Sequence, residues 1–243
     1  MTTPSTEPAG LAVAQVIPLR GWRKGMAERM LRSHMDHAQV TQMREVDVTE
    51  LAGVRERVLA DPRSREARVS FTHLLIKAAA QAIRQHAIVN SSLVENEIRV
   101  YVDINVGMAV ALEDGGLLAP VVRQADQKSI WQVAQEAIAL TERARTKRLS
   151  LDDLAGGTFT VTNAGMYGTD FVTPLLTGAQ SAALGVGRIV PKPVVRDGQI
   201  VVRSMMGLSL AYDHQVFAGA TAAQFFQTME QLIEEPSKLE LGG

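Results

Sequence analysis

There is no cysteine in these 243 residues. Disulfides, thiolate metal sites and a cysteine nucleophile are thereby excluded, and a reducing compartment is compatible with the chain. Aromatic residues make up only 5%, too few for a base-stacking surface. Neither charge dominates: 25 Lys and Arg face 26 Asp and Glu, a formal net charge of -1. That balance gives no electrostatic footprint for nucleic acid or an anionic membrane. No apolar run is long enough to span a bilayer, and the N-terminus carries no apolar signal region. What is present is a hydrophobic content of 46%, enough for one large domain or two small ones with a sizeable core.

The first residues, Met1 to Ala9, are rich in Thr, Pro and Ser and lack hydrophobic periodicity. A disordered tail or linker remnant over 1–15 is expected, with an ordered domain over 16–243 beginning near Val16-Ile17-Pro18-Leu19. Gly21 to His37 spaces Met26, Met30 and Met35 among Arg and Lys, as an amphipathic helix does. Val40 to Val48 alternates as a strand. Thr49 to Ala60 reads as a helix capped by Thr49, with Pro62 beyond it. Phe71 to His86 is apolar nearly all round, the mark of a buried helix. Ile98–Tyr101, Ile104–Leu112 and Leu117–Val122 read as strands, with a turn at Asp114-Gly115-Gly116. Ser129 caps a helix to Thr146, and Ser150 with Asp153 approaches a capping box. Strands follow at Thr158–Thr162, Ser181–Ile189 and Met206–Ala211. A hairpin turns at Asp197-Gly198, and a last helix runs from Thr221 to Glu234. Helices and strands are mixed without repeat or clear break, so the class is α/β and a single domain.

The stretch with the clearest chemical potential is Tyr212-Asp213-His214-Gln215-Val216-Phe217-Ala218-Gly219. A histidine at a strand end is usually structural, but it also suits a general base near neutral pH. Adjacent strand residues point to opposite faces, so Asp213 is expected to face away from His214. Thr162 and Asn163 close another strand. Strand and turn preferences explain them, while a hydroxyl on that rigid mount also suits an oxyanion. His34 and His37 stand three apart on a helix, but no third ligand follows for zinc. His73 and His86 flank the buried helix without a signal of their own. The glycines at 165, 168, 185 and 187 fit turns and close packing, not a nucleotide fingerprint.

Several ordered stretches are similar to one family. They include Ile17-Pro18-Leu19-Arg20-Gly21, Glu45-Val46-Asp47-Val48, Asp103-Ile104-Asn105-Val106-Gly107, Gly116-Leu117-Leu118-Ala119-Pro120-Val121, Gly156-Gly157-Thr158-Phe159-Thr160-Val161-Thr162-Asn163 and Ala183-Leu184-Gly185-Val186-Gly187. With them, the chain resembles the catalytic domain of the dihydrolipoamide acyltransferase component of 2-oxo-acid dehydrogenase complexes from about Ile17 to Pro236. The resemblance implies a chloramphenicol-acetyltransferase-like fold, a mixed-sheet sandwich with packed helices. It implies acyl transfer between coenzyme A and a dihydrolipoyl thiol supplied by another domain or chain. His214 takes the family's general-base role and Thr162 that of its oxyanion-stabilising hydroxyl; no metal is required. Coenzyme A contacts carry over to Arg55, Ser70, Ala111, Asn163, Met166, Gly187 and Ile189. Arg55 suits a phosphate, and Ser70 and Asn163 suit hydrogen bonds. At Ala111, Gly187 and Ile189 any contact is through backbone.

The resemblance further implies a homotrimer with its active site in a channel between neighbouring subunits, and trimers that can assemble into cubic or dodecahedral cores. A thiamine-dependent decarboxylase and dihydrolipoamide dehydrogenase are the implied partners. Nucleic acid and membrane are not among them. The implied location is the bacterial cytoplasm or the mitochondrial matrix. The chain departs from the family's D-H-R-x-x-D-G motif, with Gln215 in place of arginine and Ala218 in place of aspartate. A matched loss of opposite charges is expected from this pair. No lipoyl or subunit-binding domain is recognised. Two alternatives therefore stand beside the active acyltransferase: a structural core with weakened chemistry, and a stand-alone coenzyme A-dependent enzyme with a free acceptor.

Overall fold

The computed structural model describes residues 11–113 and 115–242. The Thr, Pro and Ser-rich stretch at Met1–Ala9, and Asp114 of the expected turn, lie outside the described residues. Regular structure begins later than Val16, with α1 at Trp22–Asp36; residues 11–20 are exposed and irregular. The predicted amphipathic helix is present, yet Ser33 is its only residue buried by this chain. Leu31 and Met35 remain 62% and 75% exposed, so the apolar stripe of α1 has no full partner here.

β1 (Gln39–Asp47) leads into α2 (Thr49–Ala60). The expected Thr49 cap is not made. Val48 holds the N-cap position, the Thr49 hydroxyl accepts the Ser204 N–H at 2.9 Å, and the Asp47 carboxylate takes the Thr49 N–H at 3.0 Å. A tertiary contact to a distant strand has claimed the side chain that local pattern assigned to the helix end. α3 (Phe71–Gln85) is buried nearly all round, as its composition requires. Its cap is a box made by Ser70 and His73: the Ser70 N–H donates to His73 Nδ1 at 3.1 Å, and the His73 N–H to the Ser70 hydroxyl at 3.4 Å. Burial pushes the His73 imidazole down to about 4, so the ring is neutral and accepts as this bond demands.

A short hairpin follows, β2 (Ser91–Val94) and β3 (Glu97–Val100), with Glu95 at positive φ in its turn. β3 is the strand expected at Ile98–Tyr101, displaced by one residue, whereas the four residues of β2 are too few to show an alternation. The expected single strand Ile104–Leu112 is divided into β4 (Val106–Met108) and β5 (Val110–Ala111). Leu117–Val122 is likewise divided into β6 (Leu117–Leu118) and β7 (Val121–Val122) around Ala119-Pro120. Proline has no N–H for a ladder, so β6 pairs with β5 while β7 pairs with β4. α4 (Ile130–Arg145) carries the expected Ser129 cap, closed into a box by Gln132. Ser150 and Asp153 exchange bonds as anticipated.

β8 (Phe159–Asn163), β9 (Ala182–Arg196), β10 (Gln199–Asp213) and α5 (Gly219–Glu234) complete the domain. β9 and β10 meet at the predicted turn, with Asp197 and Gly198 both at positive φ, as a type I′ hairpin requires. The central sheet has the order β1-β10-β9-β8-β4-β7. β4, β8 and β9 run parallel, and the outer pairings are antiparallel. α3 and α5 pack against one another over one face, with Phe159, Val161, Leu184, Val186, Leu208 and Leu210 pointing into that core. The opposite face is crossed by the segment 170–176 at backbone distance. A Cβ on Gly187 would lie 1.8 Å from Asp170 O, and one on Gly207 would lie 2.2 Å from the same oxygen. These glycines serve close packing, and so does Gly185, whose Cβ would meet Val172 O at 2.4 Å.

Candidate active site

His214 sits just past the end of β10 and is exposed. The strand that carries it is anchored from below. Tyr212 is 1% exposed and stacks on Phe217 with centroids 5.2 Å apart, and its ring lies 6.0 Å from that of His214. Asp213, the last residue of β10, is buried. Its carboxylate accepts from the Ala38 N–H at 3.2 Å, the Gln215 N–H at 3.0 Å and the Gln215 side-chain amide at 3.2 Å. The His214 N–H in turn donates to Ala38 O at 3.0 Å. Gln215 faces Asp213 and supplies it with neutral amide donors. Ala218 is instead the N-cap of α5, with no side-chain cap bond.

Thr162 lies on β8, an interior strand flanked by β4 and β9. Phe159 and Val161 enter the core, so Thr160 and Thr162 face the other way. Thr160 is engaged with Gln180 at 2.7 Å, whereas Thr162 is half-buried. Asn163 ends the strand and is fixed twice: its amide donates to the Thr72 hydroxyl at 2.9 Å, and its carbonyl accepts the Gly165 N–H at 2.9 Å.

The seven residues expected around coenzyme A are drawn from five separated parts of the chain. Arg55, on α2, lays its guanidinium over Phe71 at 5.4 Å, and its buried Nε has no hydrogen-bond partner. Phe71 is the first residue of α3, directly after Ser70. Asn163 reaches the same helix end through Thr72. Met166 is 77% exposed on the 3-10 turn Gly165–Tyr167. Gly165 abuts Gly187, where a Cβ would lie 2.6 Å from Gly187 O. Ile189 continues β9 from there and is exposed. Ala111 lies on β5, two residues beyond Ala109, whose N–H donates to Val161 O at 3.0 Å. Arg55, Ser70 and Asn163 thus meet at the N-terminus of α3, where free N–H groups and the helix dipole favour an anion. Phe71 and Thr72, which hold them, carried no local signal; only the packing of α3 on β8 gives them this role.

His214 and Thr162 do not meet within one chain. Thr162 pairs with Gly185, and Gly185 with Ser209, so His214 lies two strands across and five residues further along β10. At roughly 4.8 Å per strand and 3.4 Å per residue, the two are roughly 20 Å apart. Two further histidines make side-chain contacts. His37 Nδ1 lies 2.7 Å from Ser33 O, and His86 Nε2 lies 2.8 Å from the Thr228 hydroxyl, with burial holding its pKa low. His34 lies exposed on α1.

The model of the 2-oxoacid dehydrogenases acyltransferase (catalytic domain) family matches residues 12–241. The acetyltransferase component of the acetoin cleaving system of Bacillus subtilis is 35% identical over 97% of this chain and 59% of its own length. The succinyltransferase component of the Haemophilus influenzae 2-oxoglutarate dehydrogenase complex is 33% identical over 93% of this chain and 55% of its own. The chain therefore spans little over half the length of these curated relatives. Among solved structures, Azotobacter vinelandii dihydrolipoamide acetyltransferase superposes with a TM-score of 0.92 at 32% identity, covering 98% of this chain and 99% of that one. That structure was used to investigate the role of a serine, a histidine and an asparagine in the catalytic mechanism. Its serine and histidine stand as far apart in sequence as Thr162 and His214, and its asparagine four residues after the histidine, where this chain has Ala218. The cubic core of a pyruvate dehydrogenase multienzyme complex superposes equally well, with a TM-score of 0.92 at 33% identity, covering 98% of this chain and 99% of that one. A chloramphenicol acetyltransferase, at 15% identity and a TM-score of 0.51 over 90% of this chain and 99% of that one, shares the fold.

Proposed function

This chain belongs to the family of 2-oxoacid dehydrogenase acyltransferase catalytic domains, and on that premise we propose that it transfers an acyl group between coenzyme A and a dihydrolipoyl thiol. The observation that carries the proposal is the retention of His214 and of a hydroxyl at Thr162, each on a rigid strand end and at the spacing found in the Azotobacter vinelandii enzyme. A free thiol with a pKa near about 8.5 is only a few per cent thiolate at pH 7. His214 takes the thiol proton as the sulfur attacks the thioester carbonyl. Thr162 donates to the oxygen that becomes negative. Collapse of the tetrahedral adduct breaks the old carbon–sulfur bond, and the imidazolium returns the proton to the departing thiolate. The general base contributes roughly 10²- to 10⁴-fold and one oxyanion donor roughly 10²- to 10³-fold.

The separation of roughly 20 Å between the two groups supports a site assembled from two copies, His214 from one and Thr162 from its neighbour, in a homotrimer. The half-covered stripe of α1 is consistent with that assembly. Coenzyme A binds at the N-terminus of α3, with Arg55 on a phosphate and Ser70, Asn163, Met166 and the backbone at Ala111, Gly187 and Ile189 alongside. The lipoyl arm comes from another domain or chain. Larger cores of trimers, a thiamine-dependent decarboxylase, dihydrolipoamide dehydrogenase and a location in the bacterial cytoplasm or mitochondrial matrix complete the reading. The test is thiol release from acetyl-, isobutyryl- and succinyl-coenzyme A with dihydrolipoamide as acceptor. Turnover lost in His214→Ala supports the proposal and names the acyl group. A folded trimer inert to every donor moves the reading to a structural core.

A further inference from the structure

Gln215 is exposed, follows the proposed base directly and yet makes hydrogen bonds to two different segments. Its side-chain nitrogen lies 3.0 Å from Asp36 O, at the end of α1, and 3.2 Å from Asp213 Oδ1. The same carboxylate oxygen accepts the Ala38 and Gln215 N–H groups, and the His214 N–H returns to Ala38 O. Segment 36–38 and segment 213–215 are therefore tied together on both sides of His214. Asp213 is 1% exposed, and every donor it meets is a neutral N–H. A cleft of about 560 Å³ beneath it is lined by Glu28, Arg29, Arg32, Asp36 and His37 among others. These groups and His214 are the titratable neighbours of the tie.

We propose that Gln215, acting through Asp213 and the Asp36–Ala38 segment, is a positioning residue that fixes the backbone and ring direction of His214. This rests on the acyl-transfer reading above. Removing the amide cuts the bond to the end of α1, leaves only the two Ala38 bonds between the segments, and leaves Asp213 with one donor fewer. The base then samples directions in which its nitrogen misses the thiol, and a displacement near 1 Å costs on the order of a hundredfold in rate. Coenzyme A binding is untouched, because none of its proposed residues lies in segment 36–38 or 213–215.

Three substitutions test it in the full chain, with thiol release as the readout. Gln215→Met keeps the volume and loses the donors; kcat is expected to fall ten- to a hundredfold with KM for acyl-coenzyme A within twofold. Gln215→Arg keeps donors for both acceptors and is expected to stay within threefold of the parent. Gln215→Glu sets a second carboxyl against Asp213. When protonated it still donates; when ionised it repels, so kcat gains a falling limb as pH rises that the parent lacks. A role confined to stability would shift the unfolding midpoint without adding that limb. The proposal is overturned if kcat and its pH profile are unchanged in Gln215→Met and Gln215→Glu while His214→Ala abolishes turnover. Turnover that survives His214→Ala overturns the acyl-transfer reading and this proposal with it. If Gln215→Met does not assemble, the pH profiles of Gln215→Glu and Gln215→Arg decide alone.

Discussion

The N-terminus of α5 offers a perturbation whose size follows from geometry. Ala218 occupies the N-cap with φ -83° and ψ 165°, already the extended conformation that a capping residue adopts. No side chain caps the helix, and its first turn contains no acidic residue. Ala218→Asp therefore needs no backbone change and adds a side-chain acceptor to a first turn in which only the Thr221 N–H is held, by the Ala218 carbonyl at 3.0 Å. A cap is worth about 1 kcal/mol, within a range of roughly 0.5–2, and a negative charge at an exposed helix N-terminus adds roughly 0.3–1. A gain of about 1.5 kcal/mol is expected at pH 7, which corresponds to a rise of roughly 3–6 °C for a domain of this size. Urea titration at fixed protein concentration, so that assembly is constant, measures it. The helix terminus favours the ionised form and lowers the folded-state pKa. The charge-dependent gain is therefore complete above the unfolded value of about 3.9 and is lost as pH falls through the folded one. Ala218→Asn separates the parts: it keeps the cap at every pH and lacks the charge term. An unfolding midpoint unchanged or lowered by both substitutions at pH 7 would refute the empty-cap reasoning.

Four further outcomes are expected. His73 is buried with its pKa lowered to about 4. A buried neutral histidine stabilises above the unfolded value of about 6.5, and that stability is lost as pH falls towards 4, by up to about 3 kcal/mol. His73→Gln keeps a capping-box acceptor and should flatten this limb in pH-dependent urea titrations. Thr162→Val should lower kcat by roughly 10²- to 10³-fold with little change in unfolding midpoint, measured by thiol release. Mixing inactive His214→Ala and Thr162→Ala chains, unfolded and refolded together, should restore about a quarter of parental activity if each site takes one residue from each of two subunits in a ring; none would recover if one chain held both. Gly187→Ala has to displace Asp170, since its Cβ would lie 1.8 Å from that backbone oxygen, and soluble yield with thermal unfolding should show a severe loss.

Sequence by itself determined the elements whose cause is local. The turn at Asp197-Gly198 needs two residues that tolerate positive φ, and the chain supplies them. Ser129 and Ser150 cap as their spacing dictates, and α3 is buried nearly all round as its long apolar run predicts. The ordered motifs carried the family, and the strand ends at Thr162 and His214 were legible as mounts. Tertiary structure decided what depends on partners far away in sequence. Thr49 left its helix to meet Ser204, the short β2 acquired its partner β3, and Pro120 split a strand between two sheets. The fold alone set Gln215 between Asp213 and the Asp36 carbonyl. Hydrophobic period and turn chemistry act over a few residues, so they write elements into sequence. Which side chain closes a hydrogen bond depends on register across the sheet, and that exists only once the strands have paired.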